Sequence, residues 1–464
     1  MSVPPLKLPF LDEEAARNRS RTGDEPDWLL GERLDAVRRA QELPAEANQL
    51  FTPYLDLRSA RFTEIKPYAE AGIAPRADDA TTPPGVSVLL HVREDAVVAR
   101  ALSPEAREAG VIVETFAEAL RNHAGLLRPL LEGSASVPET DAFAQVARAL
   151  STLGVFIHVP DGVSLSAPIV LRWSAGTPGR GLINRTVVSL GADAHATLLE
   201  EQMDVDPESA VDEAANPVAP ATTAALAAQS LWWGTVELHL GERATLDVAG
   251  EQNFGKATLA VVNRHATIGR EAALRWSLAS VGAQLHRSRI DNHLVGRGSS
   301  VRQVEIGFGD GNQLFDLTSY TRHIGEDTTG DLLSKGVFLD TARGYIKGLI
   351  EIQQTARGTD SFLGEFSMLL TRKARSVTIP SLEIDQPDVR RASHSSSVGP
   401  IDETQIFYLM SRGVDRDTAR KFIVLGFLEP VVARIPLPDA QDRLRALLEA
   451  KWPAAAPIPN STAA

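Results

Sequence analysis

The chain of 464 residues contains no cysteine. That absence excludes disulfides, thiolate nucleophiles, cysteine-ligated zinc and any metal cluster held by the chain's own thiolates. Metal chemistry would have to use histidine, carboxylate or a cysteine supplied by a partner. Long apolar runs are also missing. The longest helical candidate, Phe422 to Leu428, falls far short of the ~18 to 20 residues that span a bilayer, so no membrane is expected as a partner. The first thirty residues, with Pro4, Pro5, Asp12, Glu13 and Glu14, show no apolar core and no cleavage site of a secretory signal, which points to the cytoplasm. Positive charge is scarce: 47 Lys and Arg against 60 Asp and Glu leave a net charge of −13, which argues against nucleic acid as a partner.

What is present is an ordinary globular composition, 43% hydrophobic and 23% charged, able to bury a core. Residues 1–150 read as mostly helical. Asp24 is placed to cap a helix opened by Pro26, with Leu30, Leu34 and Val37 on one face and Pro44 as its stop. Ser103-Pro104-Glu105 starts a second helical stretch through Val113, Phe116, Ala117 and Leu120, while Val86 to Val92 is β-rich and ambiguous.

From about Gly154 short β-branched runs alternate with glycines at a nearly fixed interval: Gly162, Gly176, Gly191, then Gly241, Gly255, Gly269, Gly282, Gly296, Gly311 and Gly325. The gaps are 13 to 15 residues, and Thr341-Ala342-Arg343-Gly344 recurs 14 residues later as Thr355-Ala356-Arg357-Gly358. This period marks a stacked β-solenoid over residues 151–391, each 14-residue unit supplying one strand and one corner of a two-strand coil. A Gly-rich antiparallel sandwich is the alternative. Residues 201–229 interrupt the period with an acidic, Pro/Ala/Thr-rich insertion read as a flexible loop leaving a corner. Residues 392–452 turn helical again: Thr404 to Met410, a stop at Gly413, a helix opened by Asp417-Thr418, and a last one from Leu437 to Trp452. Residues 453–464 read as a disordered tail.

Familiar catalytic motifs are missing. Gly255-Lys256-Ala257 lacks the upstream glycine and the Ser/Thr of a phosphate loop, and Gly307-Phe308-Gly309-Asp310-Gly311 has no following helix and reads as a corner turn. No nucleophile elbow and no His-Glu-x-x-His pair occurs. His239, His265, His293 and His323 each precede a periodic glycine by two to four residues and could form a ladder along one edge, although corners tolerate any polar residue. His394 stands apart, within Arg391-Ala392-Ser393-His394-Ser395-Ser396-Ser397 at the junction between solenoid and terminal helices.

At this junction the sequence resembles the SufB/SufD family of iron–sulfur cluster assembly proteins. Ser393-His394 and the run Gly399-Pro400-Ile401-Asp402-Glu403-Thr404-Gln405-Ile406-Phe407-Tyr408-Leu409-Met410-Ser411-Arg412-Gly413 are similar to its signature. Lys335-Gly336-Val337, Pro380-Ser381-Leu382-Glu383-Ile384 and Gly154 to Val163 are similar to its frame. The resemblance covers about residues 110 to 430. It implies a right-handed parallel β-helix between helical ends, a SufB–SufD heterodimer joined through the β-helix and its C-terminal end, and SufC ATPase subunits docked on the C-terminal helices. The family's SufB half carries a sulfur-receiving cysteine and a Glu after the motif histidine. Here there is no cysteine and Ser395 follows His394, which argues for the SufD half. Ala392 stands where many such sequences have Cys, and Phe362 and Leu363 where the family often has a Gln pair.

The expectation is therefore a non-catalytic scaffold subunit that holds no permanent cofactor and shares a transient iron–sulfur cluster with SufB. His394 is the candidate metal ligand at that interface. Phe407, Tyr408, Arg412, Arg416, Phe422 and Phe427 are the candidate SufC-docking residues, since aromatic anchors dominate interfaces. A homodimer in isolation is a further expectation. A β-helix carbohydrate-active enzyme is the alternative from another class, against which stands the absence of clustered inward carboxylates. A SufB-like homodimeric scaffold is disfavoured by the missing cysteine.

Overall fold

The structure, a computed structural model, describes residues 4–132, 137–205, 228–433 and 438–452. Its centre is a parallel β-solenoid of eight coils. One sheet stacks Leu153–Val159, Arg180–Leu190, Ser230–Leu240, Thr258–Ile268, Leu285–Leu294, Leu314–His323, Arg343–Ile352 and Arg375–Ile384. The second sheet stacks Ile169–Ser174, His195–Met203, Thr245–Asn253, Ala273–Ser280, Ser300–Gly309, Thr329–Phe338, Asp360–Leu369 and Arg391–Pro400. The chain crosses from one sheet to the other at every corner. Two 14-residue units thus make one coil: Leu231 pairs with Leu259, 28 residues on.

Most of the periodic glycines, among them Gly241, Gly269, Gly296 and Gly325 of one corner, owe their place to close approach between coils, whereas Gly162 and Gly311 take up a left-handed backbone with open space around them. A Cβ on Gly269 would lie 2.6 Å from the Leu240 carbonyl oxygen, and one on Gly296 would lie 2.1 Å from the Arg270 nitrogen of the coil before it. The left-handed position of this corner falls two residues later, on Asp193, Arg243 and Asp327, each with φ of 57°. Every second periodic glycine belongs to the same corner, and those between belong to the opposite one, which is why the period is half a coil.

Side chains of alternate strand positions fill the interior, where Trp173, Trp232 and Trp276 are essentially fully buried with Leu198, Leu246, Leu274 and Leu294. The other face of each sheet is also apolar and carries a layer of its own. Trp233, Val261 and Leu285 of the first sheet lie under the wholly buried helix Ala142–Leu150 and the helix Asp27–Glu42. Trp233 donates to the Phe143 carbonyl at 3.0 Å. On the second sheet, Val304, Ile306, Phe308 and Val337 lie under the C-terminal helices Glu403–Ser411, Arg416–Val432 and Pro438–Ala450. No helix among the described residues is long and apolar enough to cross a membrane.

Several local expectations are corrected. Pro26, not Asp24, is the N-cap of Asp27–Glu42, Asp24 being in a left-handed turn with φ of 49°. A helix unmarked in the sequence analysis, Glu13–Thr22, is capped by Asp12. Ser103 does cap a helix, but it ends at Glu108, and Val113 enters the strand Ile112–Thr115 before a fresh capping box at Thr115 and Glu118 starts Phe116–Asn122. The ambiguous run is the strand Val88–Arg93, so the N-terminal region mixes helix and sheet.

The solenoid outlasts residue 391, because Arg391–Pro400 is its last strand and the helical region begins only after Asp402. The edges of the acidic insertion are structured as well. Glu201 to Met203 complete a strand and Gln229 is buried, donating to the Ser59 carbonyl at 2.8 Å. The rest of that insertion, 206–227, and the expected tail at 453–464 lie outside the described residues.

Overpacking a close-stacked corner typically costs about 1–3 kcal/mol. Gly296→Ala is expected to lose at least that much in denaturant unfolding, whereas Gly399→Ala, with no atom within 4 Å of the added Cβ, stays near neutral. Equal stability for both variants would show that the corner glycines are not there for close approach.

Candidate functional site

The two ends of the solenoid are finished differently. At the N-terminal end the antiparallel strand Ile112–Thr115 closes the first sheet, pairing Val113 with Ile157, and Val88–Arg93 with its antiparallel neighbour Ala96–Leu102 continues the second. At the C-terminal end no further strand is added among the described residues: Arg375–Ile384 and Arg391–Pro400 are the terminal strands of their sheets. Each has one paired edge and one free edge, and free edges are rows of unpaired backbone donors and acceptors ready for another chain. The inward row of the last strand is correspondingly uncovered. His394 sits on it, in register with Leu363 of the coil below, and is exposed together with Ser395, Ser396 and Ser397. Val398 and Ile384 are 40% and 45% exposed, large apolar side chains on an otherwise small polar surface.

Next to this end the chain turns at Gly399-Pro400 into the C-terminal helices. Asp402 caps Glu403–Ser411 by accepting from the Thr404 nitrogen at 2.8 Å, and Asp415 accepts from the Asp417 and Thr418 nitrogens to start Arg416–Val432. The inner face of this pair, Ile406, Ala419, Val424 and Leu428, packs on the second sheet. Its outer face leaves Phe407 at 72%, Tyr408 at 58%, Phe422 at 54% and Met410 at 42% exposure. Arg412 lies over the Tyr408 ring at 5.3 Å, and Arg416 pairs with Glu403 at 2.7 Å, both in solvent.

Phe427 differs from the other aromatic candidates. It is half-buried against the solenoid, with the Lys335 ammonium 4.5 Å over its ring and bonded to its carbonyl at 2.6 Å, so it anchors the helix to the sheet. Met410, which sequence reasoning did not single out, belongs to the exposed patch. Its signal was available as an apolar residue three positions after Phe407, on the same face of a helix.

The four periodic histidines do not form one ladder. His265 and His293 lie on the outer face of the first sheet, their rings edge-on at 4.6 Å, lining a cavity of about 760 Å³ with Glu46, Arg289 and Tyr320. His323 points inside, between the Thr328 hydroxyl at 2.8 Å and the Ser361 hydroxyl at 3.0 Å. Burial lowers the pKa of all four, that of His323 to about 4. Among the described residues no three His, Asp or Glu side chains are gathered to hold a metal ion.

A family model described as the SUF system FeS cluster assembly, SufBD core domain matches residues 173–427, more than half of the chain. The chain belongs to this SufBD family. The iron–sulfur cluster assembly protein SufD of Bacillus subtilis is 25% identical over 456 residues, covering 95% of this chain and 98% of the relative. The SufB protein of the same organism is 24% identical over 453 residues, covering 94% and 92%. An iron–sulfur cluster assembly SufBD family protein of Staphylococcus saprophyticus is likewise 24% identical over 453 residues, with the same coverage. The SufBD match ends at residue 427, so it takes in both the open solenoid end and the aromatic helical face.

His323 makes a pH test of the interior. Its folded pKa is about 4 against an ordinary 6.5, so on acidification the unfolded chain takes up its proton first. Its contribution is complete above pH 6.5 and is lost progressively as pH falls toward 4. His323→Gln is expected to flatten the decline of melting temperature across that window, leaving a constant offset from the parent above it. Parallel curves throughout would show that His323 titrates in the folded protein as it does in the unfolded chain.

Proposed function

We propose that the chain is the SufD-type, non-catalytic scaffold subunit of a SUF complex, pairing with SufB through the open end of the solenoid and binding the SufC ATPase on the exposed aromatic face of its C-terminal helices. The observation that carries this reading is the uncapped last coil: two free strand edges at one end, with His394 exposed between them, are incomplete without another chain. The lack of cysteine supports the SufD side of the pair, because the sulfur-bearing thiolate must then come from the partner.

A His beside a partner's thiolate gives a mixed nitrogen and sulfur site suited to iron, one that neither chain builds alone. The nascent cluster is cargo in this scheme. ATP-driven motion belongs to SufC, and transmission of that motion to the solenoid would run through the Lys335–Phe427 contact and the Ile406, Val424 and Leu428 packing.

Co-expression with SufB and SufC tests the reading. Native mass spectrometry is expected to find all three chains in one particle, and a preparation in which this chain never joins SufB would refute it. In that complex His394→Ala is expected to leave the particle intact but strip most of its iron; an intact particle with normal iron removes His394 from the site. Joint truncation of Phe407 and Phe422 to Ala is expected to weaken SufC binding by about 2 kcal/mol or more, roughly thirtyfold, without loss of melting temperature. Unchanged SufC stoichiometry at limiting concentration would put the docking surface elsewhere.

A further inference from the structure

The closed end of the solenoid holds a half-buried guanidinium without a counter-ion. Arg19 lies in the last turn of Glu13–Thr22, and its Nε donates at 3.3 Å to the carbonyl of Leu150, the last residue of the helix Ala142–Leu150. Its two terminal nitrogens have no partner among the described residues, and they are not sealed from solvent. The charge that acts on it is another cation, Arg33.

Arg33 shows what Arg19 lacks. It serves the same helix end, donating to the Ala149 carbonyl at 3.0 Å and the Ser151 carbonyl at 3.2 Å. Glu25 then grips it with both oxygens, at 2.6 and 2.7 Å. Two arginines meet one helix end, and the acid goes to only one of them.

A cavity of about 230 Å³ opens beside Arg19. Its walls come from residues 22–25, from 69–73, from the helix Phe116–Asn122 and from the start of the first strand, Leu153–Val159. Arg121 of that helix lines it as well, exposed and with no acid partner among the described residues. Of the acids on the wall, Glu25 is held by Arg33, and Glu118 is held by Arg100 at 2.6 Å. Only Glu70, which is exposed, is left to oppose the two arginines among the described residues. In a chain of net charge −13 this cavity reverses the overall balance.

Burial and the neighbouring Arg33 lower the pKa of Arg19 to about 10, so it remains charged at neutral pH. A buried glutamate or histidine relieves its desolvation by losing its charge. A guanidinium does not, and an anion is what relieves it. Its planar fork fits two oxygens of a carboxylate or a phosphate. The volume is below the about 300–1,000 Å³ of pockets for drug-sized ligands, which limits the occupant to a small ion and its waters.

We propose that this cavity is a binding site for a small oxyanion, a carboxylate or a phosphate, held by the free fork of Arg19 with Arg121 at its rim. The bound anion ties Glu13–Thr22 to Phe116–Asn122 and firms the cover of the first coil. The site lies at the opposite end of the solenoid from His394 and does not depend on the function proposed above.

Thermal unfolding of the isolated full chain at pH 7 and constant ionic strength tests the site, with chloride replaced by inorganic phosphate in one arm and by succinate in the other. At least one of the two is expected to raise the melting temperature of the parent along a curve that saturates, and the one that does so identifies the anion class. Phosphate also strengthens burial in general, but that effect is shared by every variant. Arg19→Gln, which keeps a donor for the Leu150 carbonyl, is expected to melt in chloride no lower than the parent and to bind the anion roughly tenfold more weakly or worse. Arg121→Gln is expected to weaken binding roughly threefold with an unchanged melting temperature in chloride, and it decides the matter if Arg19→Gln does not fold. A parent that responds to neither anion beyond its response to chloride would overturn the site. So would a saturable response that folded Arg19→Gln and Arg121→Gln retain in full, since Arg19 would then be a helix cap and nothing more.

Discussion

A parallel strand in a solenoid needs a neighbour on both sides, because half of its backbone groups and its inward side chains are completed by the coil above and half by the coil below. The corner glycines at 241, 269, 296 and 325 exist to let those coils approach. Inside, leucines and tryptophans stack row on row; outside, each sheet carries its own helical layer. The same requirement makes the two ends the critical points. The first coil is closed by the chain's own antiparallel strands, with Val113 against Ile157. The last is left with two free edges, and the residues most suggestive of function stand there.

Buried charge pairs also join neighbouring coils on the outer face of the first sheet. Arg185 and Glu237, paired at 2.8 Å on the outer face of the first sheet, have side chains 2% and 0% exposed. Lys347 and Asp316, at 2.7 Å, are buried to almost the same degree. Pairs of this kind add little net stability over apolar substitutes, but removing one partner costs about 3–5 kcal/mol, so they penalise misplacement of one coil against the next. The covering helices of the second sheet are held by Lys335 to the Phe427 carbonyl and by Lys451 to Asp310 at 3.0 Å.

The solenoid was legible because its corners repeat: a glycine recurs every half coil, held at one corner by close stacking and at Gly311 of the other by a left-handed backbone. The last strand was not, since Arg391–Pro400 carries four serines and a single β-branched residue, Val398. Its strand conformation comes from register with Asp360–Leu369 rather than from propensity. For the same reason His394 looked like a junction residue when it belongs to a strand face.

The helix expected through Val113 failed because Gly110, at φ of 75°, ends the segment and the edge of the first coil recruits Ile112–Thr115 as its closing strand. Of the docking aromatics, spacing alone could not separate Phe422 from Phe427. They lie five residues apart on one helix and face different ways. The inward, buried position of Glu305 and Glu365, on the same side of the second sheet as Leu332 and Leu363 of the interior, was invisible for a simpler reason: parity along a strand assigns the face only once the register is known.

The central claim, that the open end of the solenoid is the surface completed by a partner, is tested most directly by hydrogen–deuterium exchange of the chain alone and with SufB. Amides of 375–384 and 391–400 are expected to exchange much faster than those of 343–352 and 360–369 in the isolated chain, and to become protected when SufB is added. Exchange at 375–384 and 391–400 that is slow from the outset, or unchanged in a complex that has demonstrably formed, would contradict the account.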